Sequence, residues 1–101
     1  MWLKQGDTAP KAVGDLNADI TGSTVRFRLM KLNGTAVLDK AATITNGPTG
    51  LVEYQWVTGD TAVLLPGAYR GEFVVTFAGG LIERFPQRSY IEVIVRPNTP
   101  V

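Results

Sequence analysis

Apolar residues recur along this chain with period two, and that alternation puts successive side chains on opposite faces of a pleated strand. From Thr24 to Lys31, Val25, Phe27 and Leu29 share one face while Arg26, Arg28 and Met30 share the other, the pattern of a strand with one wet side. In residues 51–57, Val52, Tyr54 and Trp56 alternate with Glu53 and Gln55, and Trp56 is the expected core anchor. Between Ala68 and Ala78 the inward set is Tyr69, Phe73, Val75 and Phe77, with Arg70, Glu72 and Thr76 outward. Gly71 interrupts this set and marks a bulge or a close contact. Ala78-Gly79-Gly80 supplies positive φ for a hairpin into Leu81–Phe85, which Pro86 ends. A last strand, Tyr90 to Arg96, turns Ile91, Val93 and Val95 inward.

Trp2 to Gln5 and Ala12 to Leu16 read as two halves of a first strand broken around Pro10. Ala36 to Lys40 and Ala42 to Asn46 form two short strands or one bent one, bounded by Asn33-Gly34 and the turn at residues 46–50. No window of about 11 residues keeps helical spacing without a Gly, Pro or β-branched interruption, so almost no helix is expected. About seven short strands with such turns fold as a sandwich or as a closed barrel. Asp60-Thr61 followed by Leu65-Pro66-Gly67-Ala68-Tyr69 has the form of a tyrosine corner, whose hydroxyl bonds backbone just upstream. That feature favours an all-β, immunoglobulin-like antiparallel sandwich. The length of 101 residues fits one domain, 1–101, with residues 1–11 and 97–101 as extended arms.

Composition adds constraints. With 45% hydrophobic and 19% charged residues the chain has the balance of an ordinary folded domain. Ten Lys and Arg against nine Asp and Glu give a net charge of +1, so no overall field draws in nucleic acid or anionic lipid, and neither is an expected partner. The residues after Met1 lack the basic and apolar regions of a signal peptide, and no apolar run approaches the roughly 18 residues of a spanning helix. The chain is therefore expected to be soluble. The absence of Cys excludes disulfides and thiol chemistry and leans toward a reducing cytoplasm.

The absence of His removes the commonest general base and the commonest nitrogen ligand for metals. Glu53, Glu72 and Glu92 alternate with inward apolar residues and read as pointing to water, while Glu83 shares parity with Leu81 and Phe85. The glycines fit turns, with no phosphate-binding loop. Asp15, Asn17 and Asp19 have the alternate spacing of a calcium loop, but Ile20 and Arg26 stand where that loop needs its Gly and its bidentate Glu. No catalytic, cofactor-binding or metal-binding residue is expected, and the chain is read as non-enzymatic. Outward Arg26, Arg28, Arg70 and Arg96 form a small basic stripe that an aromatic neighbour would turn into a nucleic-acid face, although nearby acids favour a plain solvated surface. What remains is interaction, with Trp2, Leu3, Met30 and one of Leu64 and Leu65 as candidates for a partner-covered patch. Trp2 has the alternative role of capping the bottom of the sandwich.

One set of segments resembles a known family. Gly6-Asp7-Thr8-Ala9-Pro10, the run from Asp19 to Phe27, the run from Gly50 to Trp56, Asp60-Thr61, Pro66-Gly67-Ala68-Tyr69, Glu72-Phe73 and Phe85-Pro86 are similar to the N-terminal immunoglobulin-like domain of tailed-phage baseplate upper proteins and related small virion domains. The resemblance covers roughly residues 2–96, and its motifs are mostly turn and core residues. It implies a phage virion structural protein of the baseplate, tail, neck or capsid surface. Such a protein is made in the host cytoplasm and acts by contacts with other virion proteins, including as a homo-oligomer. It implies no catalysis and no cofactor. The baseplate proteins continue into a long scaffold where this sequence stops at Val101, so the resemblance does not carry over their receptor-holding role. The alternative expectation is a carbohydrate-binding module for host-surface attachment, with Trp2 as its exposed aromatic.

Overall fold

Nine strands and one short helix follow one another along residues 1–86 and 90–97, the residues that the computed structural model describes. They are β1 (Trp2–Lys4), β2 (Ala12–Asp15), β3 (Thr24–Lys31), β4 (Ala36–Ala41), β5 (Thr43–Asn46), β6 (Leu51–Tyr54), α1 (Thr58–Ala62), β7 (Gly67–Thr76), β8 (Ile82–Phe85) and β9 (Ile91–Arg96). The larger sheet runs β1-β9-β7-β3-β4, and the smaller one runs β2-β6-β5. β7 pairs β3 along one edge and is long enough to serve two partners along the other, with Gly67–Gly71 pairing β9 and Phe73–Thr76 pairing β8. All of these pairings are antiparallel except β1 on β9, which is parallel.

This is the all-β, immunoglobulin-like sandwich that the alternation predicts. The strand count exceeds the expected seven because the chain changes sheets twice inside stretches that look continuous. The halves of the expected first strand, β1 and β2, lie in different sheets. So do β4 and β5, which part at Ala42, where the Ala42 N–H donates to the Val25 carbonyl at 2.8 Å. The expected arm at residues 1–11 is largely built into the body: Leu3 is buried, β1 is paired, and the Gly6 N–H donates to Thr61 Oγ1 at 2.9 Å. Residues 98–101 of the second expected arm, and residues 87–89, lie outside the described residues.

The core is aromatic where the sheets meet. Phe27 of β3 stacks on Tyr54 of β6 with ring centroids 5.1 Å apart and planes 12° apart. Trp56 meets the Phe27 ring edge-on at 5.4 Å, and Phe73 of β7 lies 5.1 Å away on its own sheet. Burial of four such rings is a dominant stabilising contribution, since each removes roughly 150–250 Å² from water. Gly71 is a close contact and not a bulge, for its register opposite Leu29 is regular and a Cβ there would lie 3.0 Å from Phe27 Cζ. The tyrosine corner is present: the Tyr69 hydroxyl donates to the Leu65 carbonyl at 2.5 Å.

Two glycine turns allow a stability test. Gly34 and Gly50 both have positive φ, but a Cβ at Gly34 meets open space while one at Gly50 lies 2.5 Å from the Ala18 carbonyl oxygen. Gly34→Ala should lose roughly 1–2 kcal/mol from the left-handed conformation alone. Gly50→Ala adds a backbone overlap and should be clearly the less stable variant in urea unfolding. Equal midpoints would show that the turn at residues 46–50 yields without cost.

Candidate functional site

The most polar buried point is Asp60, on the first turn of α1, whose side chain is only 1% exposed. Its Oδ1 accepts from Lys40 Nζ at 2.5 Å, and its Oδ2 accepts from the Tyr54 hydroxyl and from the Val57 N–H, the latter at 2.9 Å. The last bond is half of a capping box, with an acidic side chain reaching back to the first free amide of the helix. Burial pushes the Asp60 carboxyl up, but the bonds from Lys40, Tyr54 and Val57 together with the Lys40 charge outweigh it and hold the group below its ordinary value. Burial, and then the bond to Asp60, push the Tyr54 hydroxyl up. Next along the helix, Thr61 Oγ1 donates to the Asp7 carbonyl at 3.0 Å, and Gln5 Nε2 donates to the Leu64 carbonyl at 2.6 Å. The cluster thus ties β4, β6, α1 and the segment after β1 together. Both carboxylate oxygens of Asp60 are engaged by these donors.

The outer face of the larger sheet carries most of the arginines, and they divide into two kinds. Arg26 Nε lies 2.6 Å from Asp39 Oδ1. Arg28 and Arg84 approach Glu72 Oε1 at 3.8 and 3.9 Å. Glu72 was expected to point to water; it does leave the core side, but these two arginines cover it and it is only 6% exposed. Arg70 and Arg96 behave differently. The Arg70 guanidinium sits 5.4 Å from the centre of the Tyr90 ring, and that of Arg96 sits 4.6 Å from the centre of the Trp2 ring. Neither forms an ion pair among the described residues. Each lies over an aromatic face and donates no side-chain hydrogen bond to another described residue.

Between the two pairs runs an apolar row. Trp2 pairs with Ile94 and Ile94 with Ala68, while Leu32 follows Lys31, the residue opposite Tyr69. Beside this row a cleft of about 490 Å³ opens, lined by Leu32, Ala68, Tyr69, Arg70, Tyr90 and Glu92. Exposed Leu32 and Tyr90 sit at its mouth.

Of the residues expected to form a partner-covered patch, Trp2 is 60% exposed and belongs to this face, so it does not cap the sandwich. Leu3 is corrected to a core residue, because the parity that turns Trp2 out turns Leu3 in against Val93 and Val95. Met30 is also buried, beside the bulge where β3 shifts register against β4 and opposite Arg70. Leu64 is buried and Leu65 is exposed, both in the loop after α1. The structure therefore does not gather the five into one patch. Tyr90 was missed as a site residue, although its place just before β9, with the outward parity of Glu92, was the available signal.

No family model matches the chain, and no curated protein matches it. Among solved structures, the crystal structure of CopC from Methylosinus trichosporium OB3b is similar, with 14% sequence identity and a TM-score of 0.53 over 98% of this chain and 87% of that one. That likeness shows the fold. It also corrects the function expected from the sequence: this neighbour, matched over nearly the whole chain, is CopC and no virion protein, and these comparisons give no support to a phage structural role or its glycan-binding alternative. The physical reason lies in the motifs themselves. The Pro-Gly turn, the tyrosine corner and the alternating Val-Tyr-Trp strand are what a sandwich of this kind requires, whatever it does.

The Asp60 tie predicts an acid response. A carboxyl held below its ordinary value contributes stability that is present above the unfolded-state pKa of about 3.9 and is lost as pH falls through the lower folded-state value. Asp60→Asn keeps the shape, removes the charge facing Lys40, and should cost roughly 1–3 kcal/mol at pH 7. Urea unfolding at pH 7 and pH 3 should show the variant losing less stability on acidification than the parent. Parallel losses would mean that other carboxylates govern acid unfolding.

Proposed function

We propose that this chain is a non-catalytic recognition domain that binds another polypeptide across the outer face of its larger sheet. The observation that carries the reading is the pair of guanidiniums without an ion-pair partner among the described residues, Arg70 over Tyr90 and Arg96 over Trp2, set at either side of an exposed apolar row and its cleft. Exposed aromatics beside arginine are the side chains most enriched in binding centres, because they offer large contact area with little conformational entropy to lose. Arg26, Arg28 and Arg84 of this face share Asp39 and Glu72, whereas Arg70 and Arg96 have no ion-pair partner among the described residues. The non-catalytic half of the reading is supported by Asp60, the most enclosed carboxylate, whose oxygens are committed to Lys40, Tyr54 and Val57.

Site-directed photo-crosslinking tests it. A benzophenone amino acid at position 90 probes the proposed face, and the same group at position 43, exposed on the smaller sheet, is the control. In lysate of the organism that encodes the protein, position 90 should yield a discrete protein adduct that position 43 does not. Adducts of equal yield from both positions, or none from position 90, would overturn the assignment of this face.

A further inference from the structure

Resting on that reading, we infer that the face takes an extended, acidic segment of the partner, with two carboxylates four residues apart and an apolar side chain midway between them. The spacing comes from the sheet itself. Arg70 stands beside Glu92 in the β7–β9 register, and Arg96 lies four residues further along β9. At roughly 3.3 Å per residue the backbone positions of the two arginines are about 13 Å apart along the strand direction, on neighbouring strands. An extended peptide repeats the same distance over four residues, and its side chains at the first, third and fifth positions project to one side. The middle one would meet Ile94 and Ala68, the apolar residues between the stations.

The chemistry at each station fits a carboxylate. A guanidinium centred over an aromatic ring is restrained by it without spending its N–H donors on an anion, so a bidentate contact with a carboxylate loses less freedom than a free side chain would. Lys4, opposite Arg96, adds positive charge at the second station. Two carboxylates moderate it. Asp7 lies by Lys4 and its Oδ2 accepts the Lys4 N–H at 2.9 Å, while Glu92 stands beside Arg70 without an ion pair to it. Glu92 therefore disfavours a ligand with charge at every unit. That, with a net charge of only +1, favours a sparsely acidic peptide over a nucleic acid.

The probe is a blocked, fluorescein-labelled peptide with two glutamates four residues apart, a leucine midway and serines elsewhere, titrated against the whole chain by fluorescence polarisation. Saturable binding is expected, weakened roughly tenfold by Arg70→Gln, by Arg96→Gln, or by glutamine in place of either glutamate. Both arginines are exposed on the outer face, and unchanged thermal unfolding confirms that the variants are folded. A peptide with its glutamates only two residues apart should bind more weakly. The ligand class is overturned by binding that ignores either arginine or the glutamates, by absence of binding at millimolar protein, or by tighter binding of labelled oligothymidylate. If position 90 still crosslinks a protein while the peptide fails, this inference alone falls; if the crosslink is also absent, the recognition reading falls with it.

Discussion

Phe27 occupies the one place where both sheets have to agree. Its ring lies flat on Tyr54 from the opposite sheet, takes the edge of Trp56, and touches Phe73 on the neighbouring strand. Two backbone positions keep room for this cluster: Gly71, where a Cβ would press on Phe27, and Gly14, where one would lie 3.1 Å from Phe73. Because strand side chains alternate, the inward placement of Phe27 and Phe73 fixes every other residue of β3 and β7. Arg26, Arg28, Arg70 and Glu72 stand outward for that reason alone. The outer face is thus a consequence of the aromatic core, and a slip of one residue in either strand would bury its charges.

Once outward, the charges sort by distance. Arg26, Arg28 and Arg84 find Asp39 or Glu72 within the sheet and share those two carboxylates. Arg70 and Arg96 find rings. An exposed ion pair contributes little stability, and a guanidinium over an exposed ring contributes on the order of 0.5–1 kcal/mol. What differs is the remaining capacity: a paired guanidinium has already met its anion, and one over a ring has met none among the described residues. The buried tie at Asp60 is the opposite case, with three donors converging on one carboxylate and nothing left over.

Much of the fold was legible because alternation is written directly in residue identity. The inward sets of β3, β6, β7 and β9, the Gly79-Gly80 hairpin and the tyrosine corner all follow from spacing and turn chemistry, and all are present. Changes of sheet were not legible, because Ala42 and the stretch after Lys4 look like ordinary interruptions and nothing local says which sheet the chain joins next. The short helix was hidden for a related reason. Thr58–Ala62 has no apolar stripe, and it is held by Asp60 reaching Lys40 and Tyr54, contacts 20 and 6 residues away. The candidate face was half legible: outward Arg70 and Arg96 and exposed Trp2 were visible, but a ring stacked on a guanidinium across strands depends on register. Function was the least legible, since the motifs that invited a family are the ones any such sandwich needs.

The parallel pairing of β1 with β9 has a mechanical side. The chain enters β1 at Trp2 and leaves β9 at Arg96, and these points lie at opposite ends of the pair. Tension drawn along the polypeptide from both directions would therefore slide the two strands past each other. The bonds from Ile94 to Met1 and from Gln5 to Arg96 would be loaded together in shear, where an antiparallel first-and-last pair would open like a zip, one bond at a time. A domain strung between two anchored neighbours would hold its shape until those bonds gave way at once.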